Sequence, residues 1–295
     1  AAAEALGYHP NPIAYSLKTN RSSTIGVLIP DLTNPVFPPI IRGVEDIFNA
    51  AGYTAILANT DNDLDRERAI LGKMLARRVD GLILATARRH DPIVEQCLAE
   101  GIATVLINRG VDAVQVPAVV NDDAHGIRLA LAHLIGLGHK RIAHIAGPPT
   151  LSTGYARRRA FVAGMKSHGL KADARLIVAA NGFQEDEGRR AFLELRDRDR
   201  SFTAVVSAND LLALGCYDAA AELGLSIPGD ISVTGYNDMP FLDKLHPPMT
   251  TLRIPHYEMG TQAAKLLLAR MQGPEQPAAT TELLPELVIR GSTAV

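Results

Sequence analysis

The sequence predicts an α/β protein in which two doubly wound parallel sheets form two lobes. Short apolar runs alternate with amphipathic stretches along most of the 295 residues. Most of these runs lack the alternating polarity of a half-exposed strand, which is typical of strands covered on both faces. The alternation occurs in two series, 24–121 and about 122–250. The length also allows about two domains, at roughly 150 residues per domain.

The strands are assigned from runs rich in Val, Ile, Leu and Ala. Such runs, bounded by polar residues or Gly, favour buried strands of a parallel sheet. The first series comprises 24–30, 53–59, 81–86, 104–108 and 118–121, and the second comprises 141–147, 175–181, 203–209 and 231–237.

The stretches between the strands predict crossover helices. In 35–53, Ile40, Val44 and Phe48 recur at helical spacing, and Gly52 marks the end of the pattern. Later stretches repeat this pattern, and several of them also stop at a glycine. Alternating strands and helices predict a parallel sheet with crossovers of one hand.

The last part of the chain adds a helix, 257–271, and a strand-like segment, 281–293. In a two-lobed protein these elements return the chain to both lobes. We therefore expect the hinge to consist of several crossings.

Composition excludes several classes of protein. The net charge is −2 and the isoelectric point is near 6.5, unlike a strongly basic nucleic-acid-binding domain. No apolar run reaches the ~18 residues of a membrane span. Cys97 and Cys216 lie in apolar helical patterns, so we expect buried thiols without a disulfide or metal site.

The first residues, AAAEALGY, resemble the end of a helix that stops at a glycine. They lack the basic start and apolar core of a secretory signal. We therefore expect a cytoplasmic protein whose natural chain continues upstream.

No motif points to catalysis, a metal or a cofactor. The sequence has no G-x-S-x-G elbow, H-E-x-x-H pair or C-x-x-C. The run IAGPPTLSTGYARRR links a strand to a helix through Gly147 and Gly154, but it lacks the ending of a nucleotide-binding loop. An ordinary turn is the simpler interpretation, although an anion could also bind there. His139 and His144 flank a strand and are interpreted as structural.

Polar and aromatic side chains follow the strands of both series. In open α/β sheets, ligands bind beyond the carboxyl ends of the strands, so two facing lobes would share a cleft. Asp123 and Asp210 also suit helix N-caps, and Phe37 and Phe183 also suit the core. Of the three consecutive arginines that begin at Arg157, one is expected to face a polar ligand and two to face solvent.

These residues belong to motifs that resemble the lactose-repressor (LacI/GalR) family of bacterial transcription regulators. The resemblance covers essentially the whole chain. The matching motifs, in order, are AEALGYHPNPIAYSLKT, TIGVLIPDLTNPVF, RRVDGLIL, HLIGLGHKRIAHIAGP, AVVSANDLLALG, LGLSIPGDISVTGYND and PPMTTLRIP.

The resemblance implies two lobes of the periplasmic-binding-protein type I fold and no enzyme activity. It implies a repressor whose DNA binding is controlled by an effector held between the lobes. An exported solute-binding receptor of the same fold is the alternative. The implied limits are 1–10 for the remnant of a helix-turn-helix head, 11–23 for the hinge helix and linker, 24–121 plus 254–280 for the N-terminal lobe, and 122–253 plus 281–295 for the C-terminal lobe.

The hinge helix, matched by residues 11–18, is implied to order against a second copy of the chain on operator DNA. Leu17 matches a leucine that wedges into a base step of the minor groove. A leader that is disordered without DNA is the other interpretation. The implied DNA-binding residues are Asn11, Tyr15, Leu17 and Lys18.

The resemblance also implies the effector site. Asn108 and Asn237 stand where many sugar- or purine-responsive members carry Asp, and Leu151 stands where purine-responsive members carry Arg. These differences favour a carboxylated sugar or small organic acid, beside neutral sugars and nucleobases. The implied partners are this effector, operator DNA through the full-length protein and a second copy of the chain, with no membrane, cofactor or metal. The effector residues are Val36, Phe37, Thr86, Asn108, Thr153, Arg157, Phe183, Asn209, Asp210 and Asn237.

Overall fold

The computed structural model describes residues 21–112, 114–273 and 278–295. The head remnant, 1–10, and the four DNA-binding residues assigned to the hinge helix, Asn11, Tyr15, Leu17 and Lys18, lie outside these ranges.

The elements of the first series alternate as the sequence predicts. Each predicted strand is found, usually one to three residues shorter. In chain order the elements are β1 (Thr24–Ile29), α1 (Phe37–Ala50), β2 (Thr54–Asn59), α2 (Leu64–Ala76), β3 (Gly81–Leu84), α3 (Pro92–Ala99), β4 (Thr104–Ile107) and β5 (Ala118–Asn121).

The second series continues the pattern, and short 3-10 helices occur at Ala174–Leu176 and Leu242–Lys244. Its elements are α4 (Asp123–Gly136), β6 (Ile142–Ala146), α5 (Ser152–Ser167), β7 (Ile177–Ala179), α6 (Glu185–Arg198), β8 (Ala204–Ser207), α7 (Asp210–Glu222) and β9 (Ser232–Thr234). The chain then forms β10 (Thr251–Arg253), α8 (His256–Gln272), β11 (Thr280–Leu283) and β12 (Glu286–Val288).

Two parallel sheets organise these elements. The first has the order β11-β5-β4-β3-β1-β2, and the second has the order β7-β6-β8-β9. Every residue of the inner strands β3, β4, β6 and β8 is buried, which explains their continuous apolar sequences. The predicted fold class, with two parallel α/β lobes, is confirmed.

The chain crosses between the lobes three times. It leaves the first sheet after β5, returns through β10 to α8, and crosses again between β11 and β12, which pairs antiparallel with β10. The segment predicted as one strand, 281–293, is instead divided between two sheets. Strand β11 pairs with β5 from Thr280 to Leu283, so the predicted lobe limit between 280 and 281 falls inside a strand of the first sheet. The other lobe limits stay predictions.

Two predicted helix N-caps lie one residue too late. Asp122, and not Asp123, accepts a hydrogen bond from the backbone N–H of His125, at 2.7 Å. Asn209, and not Asp210, accepts one from Leu212, at 2.9 Å. In each case two polar residues are consecutive. The first has the non-helical backbone that an N-cap needs, and the second is the first residue of the helix.

Helices α1 and α8 pack together through two glycines. A Cβ atom on Gly43 would lie 2.3 Å from the carbonyl oxygen of Tyr257, and one on Gly260 would lie 2.0 Å from that of Ile40. Both distances are shorter than any atomic contact allows, so the two backbones meet where side chains are absent. This contact attaches α8, after the second crossing, to the first lobe.

We predict that Gly43→Ala lowers the free energy of unfolding by about 1–3 kcal/mol, because the added methyl group meets backbone that cannot move aside. Gly72→Ala is the matched control. It also lies inside a helix, but nothing lies within 4 Å of its added Cβ, so it should be neutral or stabilise by about 0.5–1 kcal/mol. Urea unfolding of both variants checks this, and equal stabilities would contradict the close contact.

Candidate functional site

A cavity of about 450 Å³ lies between the two lobes, at the carboxyl ends of their strands. Its volume is within the range of small-molecule sites, roughly 300–1,000 Å³. The lining residues are Pro30, Asp31, Asn34, Val36, Phe37, Asp61, Asn62, Arg88, Asn108, Arg109, Pro148, Thr150, Leu151, Thr153, Arg157, Asn181, Gly182, Phe183, Gln184, Glu187, Asn209 and Asn237.

The structure brings together most of the residues expected at the effector site. Val36, Phe37 and Asn108 line the cavity from the first lobe. The second lobe contributes Thr153, Arg157, Phe183, Asn209 and Asn237. Thr86 and Asp210 do not line it.

Thr86 is turned away from the cavity into the first lobe. Its side chain is 2% exposed and its hydroxyl donates to a carboxylate oxygen of Glu67, which is also buried. The carbonyl oxygen of Thr86 accepts a hydrogen bond from Arg109 at 3.4 Å. Thr86 therefore supports cavity residues and does not line the cavity.

Asp210 is fully buried and does not line the cavity. Its carboxylate accepts from the Thr251 hydroxyl at 2.5 Å and from the Met239 backbone N–H at 2.9 Å. Burial raises the pKa of Asp210 to about 6, although these hydrogen bonds oppose the shift. Asp210 thus attaches the start of α7 to β10, which belongs to the second crossing.

Arg157 is the most enclosed charge of the second lobe that lines the cavity, at 3% exposure. Its Nε donates to Asp123 at 2.8 Å and its Nη1 donates to the carbonyl oxygen of Ala208 at 2.5 Å. Its guanidinium carbon lies 3.7 Å from the centre of the Tyr236 ring. Arg158 and Arg159, by contrast, are exposed. One of the three arginines faces the cavity, as the sequence predicts.

Phe183 lines the cavity, and its ring packs against Gly147. A Cβ on Gly147 would lie 2.4 Å from the Phe183 ring, so glycine is needed for the ring to approach the turn after β6. The Nδ2 group of Asn209 donates to the Phe183 carbonyl oxygen at 3.1 Å while its Oδ1 caps α7. The glycine of this turn is therefore used for packing, which supports the ordinary-turn interpretation.

Asn108 and Asn237 share a left-handed backbone. Their φ angles are 65° and 127°, and each follows the end of a strand. Asn and Asp tolerate this region better than other side chains. An Asn in place of Asp at these positions therefore keeps the backbone possible and removes a negative charge from the cavity.

The first lobe contributes two arginines to the cavity wall. Arg88 donates to Glu67 at 2.9 Å and to the carbonyl oxygen of Asn62 at 2.7 Å. Arg109 donates to the Oδ1 atom of Asn62 at 3.0 Å. The family resemblance names neither arginine as an effector residue, although Arg109 directly follows the predicted strand 104–108.

The same rule about strand ends would have found several of the missed residues. Asp61 and Asn62 follow β2 closely, Arg88 follows β3, and Asn181 follows β7. None of the expected effector residues follows β2, and Asn181 falls inside the predicted strand 175–181, after which Phe183 is the expected residue. Glu187, in α6, is different, because it enters the site through hydrogen bonds to Asn181.

A set of contacts around Arg89, here called the clasp, closes one side of the cavity. The backbone N–H of Arg89 donates to the carbonyl oxygen of Thr150 at 2.9 Å, and its guanidinium carbon lies 3.5 Å from the centre of the Tyr155 ring. The backbone N–H of Gly110 donates to the Ser152 hydroxyl at 2.9 Å. Each contact joins a loop of the first lobe to the β6–α5 turn or α5 of the second.

Other chemistry finds no support among the residues that the structure describes. Within 21–112, 114–273 and 278–295, no group of three or more His, Cys, Asp or Glu side chains could hold a metal ion. Cys97 and Cys216 are buried, and burial raises the pKa of each thiol to about 12. His144 stacks on Phe161 with the ring centres 4.7 Å apart, and burial lowers its pKa to about 4. No helix in the described parts of the chain is long and apolar enough to cross a membrane.

Two parallel α/β lobes with three crossings and a polar cavity between them define a periplasmic-binding-protein-like ligand-binding protein. A family model described as periplasmic binding protein-like domain matches residues 131–293.

Curated relatives match nearly the whole chain. It is 32% identical over 288 residues to the ribose operon repressor of Halalkalibacterium halodurans, which covers 98% of this chain and 85% of the relative. It is 34% identical over 298 residues to the HTH-type transcriptional repressor PurR of Proteus mirabilis, a match that covers 100% of this chain and 86% of the relative.

A solved structure is similarly close. A LacI family transcriptional regulator from Enterococcus faecium with bound ribose is 34% identical, with a TM-score of 0.79 and 92% and 98% of the two chains covered. The chain belongs to the LacI family of transcriptional regulators. The family resemblance stated from the motifs is confirmed.

We predict that Arg89→Ala loosens the clasp. The variant loses the contact with Tyr155 and the ion pair with Asp112, and a cation–π contact contributes about 0.5–2 kcal/mol. The Gly110 amide donates a hydrogen bond to Ser152 across the clasp. Its hydrogen exchange should become about 2- to 30-fold faster in the ligand-free protein.

Arg128→Ala, which removes an exposed arginine of α4, is the matched control and should leave this exchange unchanged. The β3 amide of Leu82, bonded to Ala103 within the first lobe, reports on global opening. Equal acceleration at Leu82 would mean that the variant destabilises the lobe and that the clasp plays no part.

We predict a stability decrease between pH 4 and pH 6 that originates in Asp210. Its pKa in the folded protein, about 6, exceeds the ordinary 3.8, so the folded protein retains a proton that the unfolded chain has released. The free energy of unfolding therefore decreases as the pH rises through this window, by up to about 3 kcal/mol, and the contribution is constant above it.

Urea unfolding at several pH values, compared with Asp210→Asn, isolates this contribution. The wild-type stability should decrease relative to the variant between pH 4 and pH 6. Asp65→Asn, which changes a carboxylate with 93% side-chain exposure, should keep the wild-type slope. A parallel profile for wild type and Asp210→Asn would refute the assignment.

Proposed function

We propose that this protein is a transcriptional repressor whose affinity for operator DNA is set by a small hydroxylated effector bound in the cavity between the lobes. The observation that carries the proposal is the cavity itself, with polar and aromatic side chains from both lobes, in a chain of the LacI family. The relatives named above are a ribose operon repressor and a purine repressor, and one structure holds ribose.

The residues proposed to bind the effector are those that line the cavity at the strand ends. Phe37 and Phe183 offer ring faces for a sugar, and amides and hydroxyls offer partners for its hydroxyl groups. Thr153, Asn209 and Asn237 supply such groups from the second lobe, and Asn108 supplies one from the first. Arg157 has a third nitrogen, Nη2, without a hydrogen-bond partner among the described residues, and it is available for a ligand oxygen.

The contacts behind the cavity support coupling between the effector and the crossings. Arg157 binds Asp123, the first residue of α4 after the first crossing. The backbone N–H of Asn237 donates to Leu252 of β10 at 2.7 Å. Next to it, Asp238 accepts from Arg253 at 2.8 Å and from Arg290 at 2.7 Å, which belong to the second and third crossings. A ligand that favours one lobe angle would therefore act on all three crossings.

An effector changes DNA affinity only through its differential affinity for the two lobe arrangements. We infer that closure moves the segments before β1, which we propose to contact DNA in a homodimer through Asn11, Tyr15, Leu17 and Lys18. A regulator of this kind works in the cytoplasm. The rival, an exported solute-binding receptor, has less support because the curated relatives named above are repressors.

We predict that one compound from a screen of sugars, sugar acids, nucleobases and organic acids stabilises the protein and also changes operator binding by the full-length protein. At 100 times its Kd, a ligand adds about 2.7 kcal/mol to the free energy of unfolding. Phe183→Ala should weaken this ligand about tenfold, because the stacked face is lost.

Phe241→Ala is the matched control. Phe241 is 77% exposed and absent from the cavity wall, so its loss should leave effector affinity unchanged. Thermal shift measures the binding, and fluorescence anisotropy with DNA from the upstream region of the protein's own gene measures the coupling. A compound that binds through Phe183 without any effect on DNA affinity would remove the regulatory function and leave a receptor.

A further inference from the structure

The first-lobe wall of the cavity contains a buried arginine that has no carboxylate partner among the described residues. Arg109 is 4% exposed and follows β4. Its Nη1 donates to Oδ1 of Asn62 at 3.0 Å and to the carbonyl oxygen of Thr86 at 3.4 Å, and both acceptors are neutral. A buried arginine is normally paired with an acid, because burial of an isolated charge is costly.

The other two nitrogens of Arg109 are available. Nε and Nη2 have no hydrogen-bond partner within the ranges that the structure describes. Neither is among the fully buried polar atoms that lack a partner, so each keeps some accessible surface on a residue that lines the cavity.

The neighbouring charges leave this wall positive. Arg88 also lines the cavity, and one carboxylate, Glu67, pairs with it at 2.9 Å. Burial and the charge of Arg88 lower the pKa of Arg109 to about 10, so Arg109 remains protonated at neutral pH. Two guanidinium groups therefore share one acid, which leaves a surplus of one positive charge.

Apart from Glu67, no acid among the described residues forms an ion pair with Arg88 or Arg109. Asp61 pairs with Arg66, and Glu187 pairs with Arg190 at 2.9 Å. In the second lobe, Asp123 forms an ion pair with Arg157 at 2.8 Å, so its charge is already balanced. Asp31 also lines the cavity, where its carboxylate accepts hydrogen bonds from the backbone N–H and hydroxyl of Thr33, and it forms no ion pair with a described arginine.

We propose that Arg109, assisted by Arg88, binds a carboxylate of the effector, and that the effector is a hydroxylated acid of the aldonate or uronate class. The planar guanidinium group suits a carboxylate in a two-point hydrogen-bonded arrangement. A single carboxylate also matches the surplus of one charge, whereas a phosphate dianion exceeds it. This inference rests on the proposed function, since it takes the cavity between the lobes as the effector site.

Matched sets of compounds test the proposal on the 295-residue chain. Calorimetry is carried out with D-gluconate, D-glucuronate and D-galacturonate, each beside its neutral counterpart, D-glucitol, D-glucose or D-galactose. Glucose 6-phosphate and galactose 6-phosphate form the third arm. We expect at least one acid to bind at least about tenfold more tightly than its neutral counterpart and the phosphate esters.

The variant Arg109→Gln keeps a side chain that can donate to Asn62 and removes the charge. It should weaken the acid at least about tenfold and abolish the preference over the neutral compound. Arg128→Gln removes the same charge from the exposed face of α4 and should leave binding unchanged. The melting temperatures of the ligand-free variants check that both fold.

Several results would overturn the assignment. These are binding by none of the acids, equal affinity for acid and neutral compound, an acid that binds Arg109→Gln as tightly as wild type, or an Arg109-dependent preference for the phosphate esters. Operator binding by the full-length protein separates the two proposals. If a neutral sugar changes operator binding and binds Arg109→Gln as tightly as wild type, the proposed function holds and the carboxylate assignment fails. If an acid binds through Arg109 but does not change operator binding, the carboxylate assignment holds and the proposed function fails.

Discussion

Arg157 keeps its positive charge although its side chain is almost fully buried. The groups that stabilise this charge also connect the cavity to the first crossing. Burial alone lowers the pKa of this arginine, but Asp123 and Tyr236 more than compensate, so the net shift is upward. Asp123 starts the first helix after a crossing, and Tyr236 precedes the cavity residue Asn237. A buried charge with fixed partners accepts little rearrangement. Arg157 therefore connects the cavity wall directly to the first crossing.

The sequence predicted the sheets well because buried parallel strands carry an unambiguous signal. Strands β3, β4, β6 and β8 need apolar side chains on both faces, and the uninterrupted runs reveal this directly. The cavity followed from the same logic, since ligands bind at strand ends. The segment 281–293 was harder, because local pattern cannot show that consecutive strands join different sheets.

Individual side chains at the site were less predictable, because orientation depends on partners distant in sequence. Thr86 follows a strand, as expected of a cavity residue. Its hydroxyl instead donates a hydrogen bond to Glu67, 19 positions earlier in the chain, and does not line the cavity. Arg109 is a polar residue close to a strand end. Its significance depends on which acids lie nearby, and only the folded chain shows that Glu67 is already occupied by Arg88.

The path of the final residues bears on how the protein is made. Strand β11 completes the edge of the first sheet, and the Ser292 hydroxyl donates to the carbonyl oxygen of Val233, in β9 of the second sheet, at 2.6 Å. Neither sheet therefore has all of its contacts until residues 280–292 have been synthesised and have left the ribosome. Because one short segment contributes to both sheets, the two lobes depend on the same stretch of chain to complete their folding during synthesis.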